Sequence, residues 1–164
     1  MYVFKKFLWN KFDSLYVAHI LMLSIINCYL KTLFCSNFNI FVYGDLGVGK
    51  TFFVKGLIRG IGYNKMIKSP TYNIYNIYCC NDLYVYHFDL YRLNNFGDLN
   101  VMYFENNFDI KSIYIFEWPK RGFKFDKVPD LFVDIFFLFN KRYIIIKSCS
   151  FVSKNILYFL KKLI

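Results

Sequence analysis

The amino-acid sequence predicts an α/β domain: a sandwich built on a mixed, mostly parallel central sheet, flanked by helices and closed by a C-terminal antiparallel hairpin. Three observations predict it. Helix-like and strand-like stretches alternate through the first part of the chain, the pattern of strands joined by crossover helices. Strand-like stretches then run together, which adds antiparallel pairs to the sheet. Between these regions "YGDLGVGKT", Tyr43 to Thr51, places three of the chain's eight glycines in six positions, where a buried strand hands over to a helix.

The elements follow in order. A short apolar start precedes "LYVAHILMLSIINCYL", Leu15 to Leu30, which reads as a buried helix with Asp13 and Ser14 as candidate caps. It is sixteen residues long and interrupted by His19, Ser24 and Asn27, short of the roughly 20 residues a bilayer core needs. A membrane span is therefore not expected, and no small-residue cleavage site marks a signal peptide. "FNIFVY", Phe38 to Tyr43, reads as a buried strand, and "TFFVKGLIRGIG" as a helix running out at Gly60 and Gly62. "SPTYNIYNIYCC" reads as extended, because Pro70 disfavours helix and the alternation behind it is β-like. Asn81-Asp82 reads as a turn into a second strand, "LYVYHFDL". Asn94 to Phe108 is weakly helical in pattern. "SIYIFEW" reads as a short apolar strand ending on an acid, and Pro119 to Pro129, with Gly122, as a loop. "LFVDIFFLF" and "RYIIIKS" flank Asn140-Lys141 as the terminal hairpin, and Ser153 is placed to cap a closing helix to Ile164.

A length of 164 residues fits one domain, 1–164, with room for a proper core. The formal net charge is +10, yet the lysines spread from Lys5 to Lys162 without a dense block, which favours a solvated surface over a nucleic-acid patch. The composition is skewed to Phe, Tyr, Ile, Asn and Lys, with a single alanine, Ala18. Five cysteines make an odd number with no C-x-x-C spacing, and only His19 and His87 stand by to complete a zinc site. Free thiols of a reducing, cytoplasmic setting are the expectation. Neighbouring Cys79 and Cys80 should point to opposite faces of a strand.

Gly44, Asp45, Leu46, Gly47, Val48, Gly49, Lys50 and Thr51 fill the pattern G-x-x-x-x-G-K-[ST]. Its context, after a strand and opening a helix, is the one the chemistry requires. Glycine permits backbone angles closed to other residues, so successive N–H groups converge on phosphate oxygens. The helix start adds its positive dipole end. Lys50 would reach the outer phosphates and the Thr51 hydroxyl would ligate Mg²⁺. The expectation is a P-loop NTPase-like domain that binds a purine nucleoside triphosphate with magnesium. Two acids, Asp89 closing "YVYHFD" and Glu117 closing "SIYIFE", are candidates for the metal and for orienting an attacking water. Which of them meets the metal directly stays open. His87 reads as a core or partner-facing residue, and Arg92 as either a phosphate or partner contact or a surface salt bridge.

Four blocks, "GDLGVGKT", "KSPTYNI", "YHFDLYRL" and "FEWP", occur in the order and spacing that resemble the TsaE (YjeE) family, over about Asp13 to Ser148. That family comprises bacterial P-loop ATPases of the tRNA threonylcarbamoyladenosine pathway. The resemblance implies slow ATP hydrolysis in the cytoplasm. It implies action with TsaB- and TsaD-like partners, which carry out the transfer, and contact with tRNA only through that complex. It also implies that Thr71 lies in a switch-like segment near the γ-phosphate. Asp89 and Glu117 then serve magnesium and hydrolysis, and Trp118 is the tryptophan that follows the acid. The competing expectations are a nucleotide-dependent interaction subunit with little turnover and a P-loop small-molecule kinase. A kinase should carry an arginine-rich lid, and Arg59, Arg92, Arg121 and Arg142 form no cluster in the sequence. A basic membrane-surface protein built on Leu15 to Leu30 is the remaining alternative.

Overall fold

A computed structural model describes residues 1–29, 37–92, 112–121 and 128–164. The weak helix expected over Asn94 to Phe108, and Leu30, Cys35 and Gly122, lie outside the described residues. Among the described residues seven strands form one mixed sheet: β1 (Val3–Leu8), β2 (Phe38–Tyr43), β3 (Tyr75–Cys80), β4 (Leu83–Asp89), β5 (Ser112–Glu117), β6 (Leu131–Leu138) and β7 (Lys141–Ser148). The described helices are α1 (Lys11–Tyr29), α2 (Lys50–Gly60) and α3 (Phe151–Leu163).

The sheet order is β1-β7-β6-β2-β5-β4-β3. Its centre, β6-β2-β5-β4, is parallel, whereas β1, β7 and β3 pair antiparallel at the margins. Three of the six pairings are thus parallel, rather than most of them. The reason lies in two hairpins, β3–β4 and β6–β7, and in the N-terminal strand that pairs with β7. β5 is buried at every position, as a central strand covered on both faces must be. β1 was not expected as a strand. Lys5 and Lys6 break its apolar run, which an edge strand tolerates and a central one would not.

Both hairpin turns place two consecutive non-glycine residues at positive φ, the twist that suits a two-residue connection. Asn81 and Asp82 lie at φ 50° and 59°, where the turn was expected. The second turn is at Phe139 and Asn140, φ 50° and 60°, one residue before the expected Asn140-Lys141. Thr71 to Asn73 form a turn and β3 starts only at Tyr75, so the expected extended stretch "SPTYNIYNIYCC" is extended only in its second half. As foreseen, Cys79 is exposed and Cys80 half-buried.

Helix ends also differ from the expected caps. The Asn10 Oδ1 accepts from the Phe12 and Asp13 N–H groups at 2.7 and 3.1 Å. The Asp13 carboxylate reaches back to the Trp9 and Asn10 N–H groups at 2.7 and 3.2 Å. Asn10 is therefore the cap of α1 and Asp13 its reciprocal partner three residues on. Likewise Ser150 caps α3 and Ser153 completes that capping box. At the far end of α2, Gly62 at φ 89° closes the helix, its N–H on the Arg59 carbonyl at 3.0 Å. Gly60, where the helix was expected to run out, is its last residue, and Ile61 stands at the C-cap.

All three described helices cover one face of the sheet, where the expectation was helices flanking it. Val17, Leu21 and Ile25 of α1, Leu57 of α2 and Leu160 of α3 share one buried cluster with Ile40, Ile115, Val133 and Ile146 of the strands. α1 lies between α2 and α3, which explains why it is apolar on almost every side. It meets α2 across a glycine seam. A Cβ on Gly56 would sit 2.6 Å from the Ala18 Cβ and 2.7 Å from the Leu15 carbonyl oxygen. One on Gly60 would sit 2.5 Å from the Met22 Cβ. The opposite face of the sheet is aromatic: Phe41, Phe88, Tyr114 and Phe116 are buried there, with rings stacked across β4 and β5. Among the described residues no helix is long and apolar enough to cross a membrane.

Candidate functional site

Three strand ends deliver the predicted residues to one place. β2 runs parallel to β5 and β5 to β4, in a register that sets Val42 beside Glu117 and Glu117 beside Asp89. The glycine loop leaving β2 therefore faces both acids across the carboxyl edge of the sheet, where ligands of open α/β sheets bind. A cleft of about 440 Å³ opens there, lined by Gly47, Gly49, Lys50, Thr51, Asp89 and Glu117 among others. Leu46, Thr71 and Trp118 also line it. Of the predicted loop residues, Gly44, Asp45 and Val48 do not. Val48 is buried in the helix-side core, while Gly44 and Asp45 border a second cleft beyond Trp118.

The loop conformation follows from its glycines. Gly44 lies at φ 141°, and a Cβ there would meet the Ile135 carbonyl oxygen at 2.3 Å, so no other residue fits. Gly49 at φ 105° is the N-cap of α2 and supplies no side-chain cap. The first-turn N–H groups, which have no intrahelical partner, are left to whatever enters the cleft. Arg142 of β7 braces the loop, its Nε donating to the Val48 carbonyl at 2.7 Å.

Lys50 is buried, its Nζ donating to the Gly44 and Asp45 carbonyls at 2.8 Å each and lying 3.7 Å from the centre of the Trp118 ring. Burial pulls its ammonium below the usual lysine range, and the charges of Glu117, Asp89 and Asp45 restore part of the loss. Trp118 adopts φ 58°, a left-handed conformation unusual for a bulky residue, with Tyr91 packed on it at 5.0 Å between ring centres. Arg121 lies over the Tyr91 ring at 4.6 Å.

The acids are buried and each has its own partners. Glu117 accepts at Oε2 from the Thr51 hydroxyl, 2.9 Å, and contacts the His87 Nε2 through Oε1, 2.8 Å. Asp89 accepts at Oδ2 from the Thr71 hydroxyl, 2.7 Å, and at Oδ1 from the Tyr91 N–H, 3.2 Å. The Ser69 hydroxyl stands 2.7 Å from that of Thr71. Arg92 lines the cleft and lies 4.2 Å from the Tyr72 ring centre.

Sequence reasoning missed four contributors. His87, read as core or partner-facing, is core and yet touches Glu117. It sits two register pairs back, opposite Ile115, on the strand face it shares with Asp89, a diagonal within reach of long side chains. Lys55, which lines the cleft, and Ser69 were hidden in ordinary polar positions, and Arg142 lies far along the chain from the loop it braces. Only the two-residue spacing of His87 and Asp89 carried a readable signal.

Among the described residues, a seven-stranded mixed α/β fold with a glycine loop and two buried acids at its carboxyl edge defines an α/β protein with an uncapped helix start facing a cleft. The family model described as "Threonylcarbamoyl adenosine biosynthesis protein TsaE" matches residues 21–143. The chain belongs to the TsaE family, whose members serve tRNA threonylcarbamoyladenosine biosynthesis. It is 35% identical over 118 residues to the tRNA threonylcarbamoyladenosine biosynthesis protein TsaE of Haemophilus influenzae, covering 72% of this chain and 75% of that one. The protein of the same description from Rickettsia typhi is 33% identical over 116 residues, 70% of this chain and 77% of that one. In fold the chain is similar to the crystal structure of Bacillus subtilis YdiB, with a TM-score of 0.74 at 20% identity, over 99% of this chain and 96% of that one.

Proposed function

We propose that the chain is a P-loop ATPase that binds ATP with Mg²⁺ and hydrolyses it in support of tRNA threonylcarbamoyladenosine formation. It acts in the cytoplasm with TsaB- and TsaD-like partners, which transfer the group, and meets tRNA through that complex. The observation that carries the reading is the convergence of an uncapped helix start, a buried lysine and two carboxylates on one cleft.

The residues present fit a metal-bound triphosphate. The first-turn N–H groups of α2, with Lys50, suit an anion. A buried ammonium whose charge is only partly countered gains from a phosphate what burial has withdrawn. Thr51 and Glu117 offer hard oxygens 2.9 Å apart, and they would hold the ion. Among the described residues no three His, Cys, Asp or Glu side chains gather to hold a metal alone. That suits Mg²⁺, which keeps waters and takes further oxygens from phosphate. Bound there, Mg²⁺ supplies neutralisation of the charge on the phosphoryl oxygens. Asp89 stands opposite, fixed by Thr71 and the Tyr91 N–H, as the group that orients a water. Trp118 closes the cleft beside Lys50.

The test is direct. Lys50→Ala abolishes Mg·ATP affinity, read with a fluorescent ATP analogue. Glu117→Ala raises the Mg²⁺ requirement of binding, whereas Asp89→Ala retains binding and loses hydrolysis by about a hundredfold or more, the scale of a lost acid–base or water-orienting group. Failure of the wild-type chain to take up Mg·ATP overturns the reading.

A further inference from the structure

We propose that His87 is a positioning residue for Glu117, and through it for the magnesium ion of the nucleotide cleft; the inference rests on the Mg·ATP reading above. His87 is fully buried, at 0% exposure, and Glu117 is at 1%. Its Nε2 lies 2.8 Å from Glu117 Oε1, while Glu117 Oε2 accepts from Thr51. The two carboxylate oxygens are thus held from opposite sides, one by β4 and one by the first turn of α2. A flexible glutamate side chain at a metal site gains from such fixing, because partners behind a ligand set its orientation and affinity.

The other ring nitrogen gives the direction of the bond. Nδ1 is buried and has no hydrogen-bond partner among the described residues. An N–H there would be buried without an acceptor, at the cost of its desolvation, and a bare Nδ1 leaves the hydrogen on Nε2, where the acceptor-only Glu117 carboxylate takes it. The imidazole therefore faces Glu117 as a donor. Its surroundings argue against a role in packing alone. Val85, on the same face of β4, and Ile113 and Ile115 of β5 are apolar and fully buried. An aliphatic side chain at position 87 would extend that core without stranding a ring nitrogen.

Three measurements on the full chain test the assignment. The first follows the Mg²⁺ dependence of fluorescent ATP-analogue binding. His87→Leu raises the Mg²⁺ concentration for half-maximal binding by about tenfold to a hundredfold and leaves metal-free nucleotide binding unchanged. His87→Gln, whose amide nitrogen reaches the place of Nε2, restores most of the metal dependence. His87→Asn, whose amide reaches only the place of Nδ1, does not. The Gln and Asn pair carries the test alone should the leucine variant fail to fold. The second measurement is turnover: His87→Leu lowers kcat at saturating ATP with KM little changed. The third is the imidazole ¹⁵N spectrum of the metal-free chain. His87 should show hydrogen on Nε2 and a bare Nδ1, its signals assigned by their loss in His87→Leu, since His19 is the other histidine. An unchanged Mg²⁺ requirement in His87→Leu, equal behaviour of Gln and Asn, or a hydrogen on Nδ1 overturns the assignment. A wild-type chain that binds no Mg·ATP fails the earlier reading instead.

Discussion

Lys50 rests on its own loop. Its ammonium is shared between two backbone carbonyls and an indole face, and burial makes it a weaker base than a free lysine. The sign of the pH effect follows. With the folded-state value below the ordinary lysine value of 10.5, the unfolded chain holds more protons between the two, so this group's contribution to stability rises with pH across that window. Phosphate affinity runs the other way. It should fall as pH rises through the lowered value, before free lysine would titrate, and Lys50→Arg should flatten that fall where the variant binds nucleotide. Nucleotide titrations from pH 7 to 10 check this. Much of the site was legible because its demands fall on neighbouring residues: eight consecutive positions set the loop, and each acid closes its own apolar strand. His87 and Arg142 were not, because their contacts depend on strand register and on a hairpin far along the chain.

The helices show how local rules are overridden by packing. Alanine normally stabilises a helix interior over glycine by about 1 kcal/mol. Gly56→Ala should do the reverse, because its Cβ would press on Ala18 and on the Leu15 backbone. Overpacking of this kind costs about 1–3 kcal/mol, and urea denaturation should show a lower midpoint at unchanged slope. Sequence alone showed α2 and the glycines at its end, but not that Gly60 also seats Met22 of α1, because the partner helix is invisible to local pattern. The caps were displaced by three residues in both α1 and α3. In each the reading chose the reciprocal partner in the first turn, with Ser14 beside Asp13 in α1, and passed over Asn10 or Ser150. The second hairpin turn eluded exact placement since Phe139 is an unfavourable residue at φ 50°.

At the scale of the molecule, the described helices share one face of a sheet whose parallel centre is bordered by antiparallel strands on both sides. The alternation of elements made the α/β class readable. The balance of parallel and antiparallel pairs was not, because it depends on which strand β1 joins. One continuous sheet and one helix-side core should unfold together. The two tryptophans report from distant parts: Trp9 lies against Lys141 near the β1–β7 edge and Trp118 lies against Lys50. Urea transitions of Trp9→Phe, followed by Trp118 emission, and of the wild type, followed by far-ultraviolet circular dichroism, should coincide; separated midpoints would reveal two units. The seam between α1 and α2 bears on this unity as well. Where two helix backbones rest almost directly on one another, there is no compliant cushion of side chains to absorb a shift. α1 contributes no atom lining the cleft, yet it acts as a ruler for the height at which Lys50 and Thr51 stand. The chain's single alanine, Ala18, is a graduation on that ruler, and a bulkier residue there would be felt as a displaced lysine a full helix away.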